Sequence, residues 1–158
     1  MKYIKLKSLL LESTDDYDSM RRMRSIHLNK LDSFTSSYIT CALWSSMDNL
    51  ESNGGDPLDK KYTIEDIESS TLKKMVMDCQ NFKLKYEELY DRGDWSDDEA
   101  GHDFWLTRNG HGTGFWDRGY GNEEKEEIGK QLTQAAKSYG TFDLYLGDGK
   151  YDGMILGG

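Results

Sequence analysis

Leu72, Met75, Val76, Cys79, Phe82, Tyr86 and Leu89 recur at three- and four-residue spacing, the interval that gathers side chains onto one stripe of an α-helix. A stripe of about five turns made of aliphatic, aromatic and sulfur side chains cannot remain in water. The fold must supply other elements to cover it. Lys73, Lys74, Lys83, Lys85 and Glu87 fall mostly on other faces, and Arg92-Gly93 stops the pattern.

The rest of the chain is then read for what can do the covering. Between Met20 and Trp44, the positions Met23, Leu31, Phe34, Tyr38, Cys41 and Ala42 mostly keep the same spacing, predicting one helix or two broken near Asn29 to Asp32. Asn53-Gly-Gly-Asp-Pro57 is a loop. Ser96 and Glu99 have the spacing of a capping box, so another helix starts at about Asp97 and ends at Asn109-Gly110. Gly112 to Asp117 reads as a short strand. Glu123 to Tyr139 is a further helix, with Ile128, Leu132, Ala135 and Tyr139 inward and Gly140 as its stop. Phe142 to Leu146 alternates like a strand, Asp148-Gly149 turns, and Tyr151 to Leu156 returns as a hairpin. The expected fold is α+β: a single domain over residues 31–158, about four helices packed with a small, mostly antiparallel sheet and a C-terminal hairpin. Residues 1–30 are an arm or helix outside it.

With 158 residues, 36% hydrophobic and 31% charged, and one proline, the chain is large enough to bury a core without staples. Cys41 and Cys79 stand in apolar helical patterns, which reads as buried, reduced thiols of a reducing compartment. The basic start is followed only by Leu9-Leu10-Leu11, which predicts neither a signal peptide nor a membrane span. Net charge is −9 and uneven: residues 1–30 hold seven Lys or Arg against four acids, whereas Glu87 to Asp103 holds eight acids against Arg92. An acidic belt repels phosphate. It suits either a solvated face that maintains solubility or a basic protein surface, with Asp94, Asp97, Asp98 and Glu99 as the interaction face.

Uncommon chemistry is densest in the signature segment between Ala100 and Arg118. His102, Asp103, Trp105, Arg108, Asn109, His111, Trp116 and Asp117 form the candidate functional loop. Imidazoles and carboxylates could hold a metal through His102, His111 and Asp117, with Asp103, but the spacing matches no strong motif and no cofactor is expected. Gly110 to Gly114 could cradle an anion, although helix-then-strand reverses the usual order of such loops. No serine sits in a nucleophile elbow. His111 could serve as an acid or base with Asp103 or Asp117. The competing structural account has both histidines satisfying backbone groups, Trp105 and Trp116 filling the core, and Arg108 paired with Asp117. Asp148 to Gly153 lacks the ligand spacing of a calcium loop.

The runs Tyr38-Ile-Thr-Cys-Ala-Leu-Trp-Ser-Ser46, Asp56-Pro-Leu-Asp59, Thr63-Ile-Glu-Asp-Ile67 and Met77-Asp-Cys79, together with Gly101-His-Asp-Phe-Trp-Leu-Thr-Arg-Asn-Gly-His-Gly112, Gly114-Phe-Trp-Asp117, Leu132 to Lys137 and Leu144-Tyr145, resemble a group of small acidic proteins encoded by tailed bacteriophages. The resemblance spans about residues 36 to 151 and brings no catalytic residues with it. It implies a protein of the infected host's cytoplasm that binds a host or phage macromolecule through its acidic surface and the loop around His111, inhibiting a host protein with a basic surface, such as a defence protein, by binding rather than by catalysis. Two alternatives stay open: a small-ligand or metal-binding protein or hydrolase using His102 to Asp117, and an accessory DNA-metabolism or virion protein using the basic arm. Nucleic acid and membrane are not the expected partners.

Overall fold

A computed structural model describes residues 30–49 and 55–158. The arm, the helical pattern before Lys30 and the tip of the Asn53 loop lie outside the described residues. The chain is α+β, with helices α1 (Ser33–Ser45), α2 (Ser69–Arg92), α3 (Asp97–Arg108) and α4 (Glu123–Lys137), and strands β1 (Leu144–Leu146) and β2 (Ile155–Gly157). Contacts gather into two compact units. Residues 43–73 and 144–158 belong to one, and residues 32–42 and 74–143 to the other.

The first unit is built on the expected C-terminal hairpin. β1 and β2 pair antiparallel, Leu144 opposite Gly157 and Leu146 opposite Ile155, and an isolated parallel bridge joins Ile67 to Ile155. Among its described residues, Leu43, Leu58, Ile67, Leu144, Leu146, Met154 and Ile155 are buried apolar side chains. Glu68 is buried with them. Its carboxylate accepts the Ser70 and Thr71 amides at 2.9 and 3.1 Å and both of their hydroxyls, satisfying donors that the start of α2 leaves without helical partners.

The second unit is an aromatic core. Phe34 and Tyr38 of α1, Phe82 and Tyr90 of α2, and Phe104 and Trp105 of α3 are all buried. Phe82 stacks on Phe104 with ring centres 4.2 Å apart, and Phe104 lies 5.2 Å from Tyr38, within the range where ring pairs add to area burial. α3 crosses α1 at Gly101, where a Cβ would overlap the Phe34 carbonyl oxygen. Hydrogen there lets two backbones approach closely.

Helices α2, α3 and α4 match the sequence pattern, with Ile128, Leu132 and Ala135 of α4 buried, Tyr139 half-buried two residues past its end, and Ser96 accepting the Glu99 amide at 3.1 Å to start α3. The strand expected over Gly112 to Asp117 is not formed. Asp117 accepts the Gly114 amide at 3.1 Å and the Thr113 hydroxyl at 2.6 Å, while Thr107 Oγ accepts the Phe115 amide at 3.1 Å. The Gly114 and Phe115 amides, which a ladder would have used, are thereby taken, and Phe115–Asp117 curls into a 3-10 turn.

Candidate functional site

Arg108 sits at the last turn of α3, 4% exposed, and every branch of its guanidinium is bonded. Nη1 donates to Asp78 Oδ2 at 2.9 Å and Tyr38 Oη at 3.0 Å; Nε and Nη2 donate to the Gly140 and Tyr139 carbonyls at 2.9 and 3.0 Å. Phe104, Tyr139 and Phe142 ring the cation at 5.4–5.8 Å. The expected Arg108–Asp117 pair is therefore incorrect. Asp78 takes the role because it lies on α2 within the aromatic core, at helical spacing from Met75 and Phe82. A carboxylate set inside an apolar stripe was the signal for it, since a buried charge requires a partner.

Asp103 is the second buried charge, 1% exposed. Its Oδ2 accepts Trp95 Nε1 at 3.0 Å and Arg118 Nε at 3.1 Å, and its Oδ1 accepts Arg118 Nη2 at 2.8 Å. The forked pair holds the residues after α3 against the helix. Hydrogen bonding to Asp103, with Asp117 and Glu99 nearby, pushes the Arg118 pKa up. Neither Arg118 nor Trp95 was among the expected site residues. Arg118 stood at the end of the signature without a partner nameable from spacing, fifteen residues from Asp103.

The remaining signature residues divide between framework and surface. Asn109 bridges two segments, donating to the Trp105 carbonyl at 3.1 Å and accepting the Phe142 amide at 2.7 Å. Trp105 is buried at 2% exposure, whereas Trp116 is 53% exposed, so Trp116 does not fill the core as the structural account expected. His111 is exposed and His102 half-buried. His102, His111 and Asp117 do not converge, and no group of three metal-ligating side chains occurs among the described residues.

Ser37, Asp98, Glu99, His102, Asp103 and Arg118 line a cleft of about 330 Å³. It brings together two groups that the sequence kept apart, the acidic run and the signature. Asp103 and Arg118 neutralise each other, so Asp98 and Glu99 set the sign of the field, which favours a cation. Both stand in the first turn of α3, where the helix dipole stabilises negative charge. Asp97, also expected on the interaction face, is half-buried. It accepts Tyr90 Oη at 2.6 Å and Lys83 Nζ at 3.3 Å, and Lys83 also reaches Asp32 at 3.6 Å, so Asp97 ties the start of α3 to α2.

Burial pushes the Asp117 carboxyl up, but the Thr113 hydroxyl, the Gly114 amide and Arg118 outweigh it and hold it below the usual aspartate value of 3.8. Because the unfolded carboxyl then binds a proton more readily than the folded one, this contribution is complete above 3.8 and is lost as pH falls through the depressed folded value. Urea titrations between about pH 5 and pH 2 are expected to show a shallower acid loss of stability in Asp117→Asn than in the wild type.

Among the described residues, no helix is long and apolar enough to cross a membrane. Compared with known proteins, the chain matches no family model, no curated protein and no solved structure.

Proposed function

We propose that the protein is a binding protein rather than an enzyme, and that it docks its acidic face on a basic surface of a macromolecular partner. One observation carries this reading. The buried charged groups of the signature, Asp103 and Arg108, are bonded to Arg118, Asp78, Trp95 and backbone carbonyls. The carboxylates turned to solvent, Asp98 and Glu99, stand beside them at the mouth of a cleft. Interior charges bonded in this way act as framework, while exposed like charges act through their field.

The resemblance to small acidic phage proteins supports a host protein, such as a component of antiviral defence, as the partner, with the host cytoplasm as the place of action. A charge-driven contact gains its speed and selectivity from complementary potentials and weakens with salt.

Asp98→Lys/Glu99→Lys is the variant that tests it, because Asp97 and the left-handed Asp94 (φ 67°) have conformational duties of their own. Reversal at the helix start costs about 0.3–1 kcal/mol per residue, leaving a folded protein. Affinity capture from host extract is expected to retain one stoichiometric protein in low salt, to release it in high salt, and to lose it with the reversed variant. Equal retention by both proteins overturns the reading.

A further inference from the structure

Trp116 is 53% exposed and Tyr120 is 98% exposed, although the residues around them are held in place. Between the two rings, Arg118 turns inward to Asp103. Gly119 lies against the backbone of Glu126, where a Cβ would come within 2.7 Å of the Glu126 Cα. Before them, Asp117 closes the turn through Thr113 and Gly114; after them, Asn122 Oδ1 accepts the Lys125 amide at 3.0 Å and starts α4. Tyr120 lies almost wholly in solvent and Trp116 about half in it, on a backbone tied on both sides. Both rings suit recognition, since ordering them on binding costs little entropy.

The charge around these rings selects the partner chemistry. Glu123 and Glu124, exposed at the start of α4, follow Tyr120 after Gly121 and Asn122. Asp98 and Glu99 share the cleft with Arg118, two residues from each ring. Aromatic faces attract cations, and a guanidinium does so best because it is planar, weakly hydrated and able to fork onto carboxylates.

We infer that Trp116 and Tyr120 are the anchors of the docking face and that they receive arginine side chains of a basic protein segment, with the flanking carboxylates pairing with the same guanidinium groups. This rests on the binding reading above and assigns its anchors and the chemistry of the partner. Asp103 and Arg118 are positioning residues in this arrangement.

The test is fluorescence anisotropy of labelled nona-arginine and nona-lysine against the full chain, in low salt, for wild type, Trp116→Ala/Tyr120→Ala and Asp98→Lys/Glu99→Lys. Tyr120 lies almost wholly in solvent, so its variant keeps the fold; Trp116→Phe keeps the apolar part of the half-exposed ring. Nona-arginine is expected to bind the wild type more tightly than nona-lysine. Removing both rings is expected to weaken nona-arginine about tenfold and nona-lysine less, while charge reversal weakens both. If ring removal changes nothing and charge reversal still weakens binding, the anchors are wrong and the acidic docking face stands. If neither variant changes binding, or nona-arginine does not bind, both are overturned.

Discussion

Arg108→Met is expected to destabilise the protein by about 3–5 kcal/mol, the cost of leaving a buried charge without its counter-ion. The loss is larger than that of an ordinary core substitution because four acceptors depend on one guanidinium. Among the described residues, Asp78 would keep only Lys74, at 2.7 Å, and Tyr38 Oη and the carbonyls of Tyr139 and Gly140 would lose the donor they share. Leaving buried polar groups unmatched costs more than forming their bonds gains. Against a typical domain stability of about 5–15 kcal/mol, the variant should unfold well below the wild-type midpoint in urea. Removing the partner as well, in Asp78→Leu/Arg108→Met, should restore much of the loss, because the uncompensated carboxylate is then gone. A single variant that loses less than about 1 kcal/mol would show that Arg108 behaves as a surface charge.

Gly101→Ala is expected to destabilise by about 2–3 kcal/mol, although helix propensity alone predicts a gain of about 0.5–1 kcal/mol. The sign of the change is therefore the test. A methyl group at this point of α3 overlaps the Phe34 carbonyl of α1, and a backbone atom inside a helix cannot rotate away as a side chain can. Relief requires the two helices to separate, which loosens the Phe34–Phe104 contact, with ring centres 6.0 Å apart. Thermal and urea denaturation of Gly101→Ala should both fall, whereas a rise would mean that the helices do not cross so closely.

Both predictions concern residues whose importance was visible in the sequence while their duties were not. Arg108 belonged to the signature and its charge was plain, but spacing offered Asp117, nine positions away, and could not offer Asp78, thirty positions earlier in another helix. Asp103 likewise waited for Arg118, and Trp95 lay outside the segment altogether. The missing strand has the same origin. Glycines beside aromatic residues read equally well as extended chain or as a turn, and the choice was made by Asp117 and Thr107 bonding to nearby amides. Trp105 and Trp116 are the same residue type eleven positions apart, one buried and one half in solvent; nothing local distinguishes them.

What the sequence determined by itself is the set of elements that depend on neighbours a few residues away. Helical stripes fixed α2 and α4, the Ser96 cap and the Asn109-Gly110 turn bounded α3, and alternation around Asp148-Gly149 produced the hairpin, because periodicity and capping act over one or two turns of chain. Which polar residues are interior ties and which face outward was decided only by tertiary structure. The partners of Arg108, Asp103 and Asn109 come from distant positions, and burial is a property of what other segments cover. The acidic run shows the division within three residues: Asp97 is drawn in by Tyr90 and Lys83 from α2, while Asp98 and Glu99 are left on the rim of the cleft.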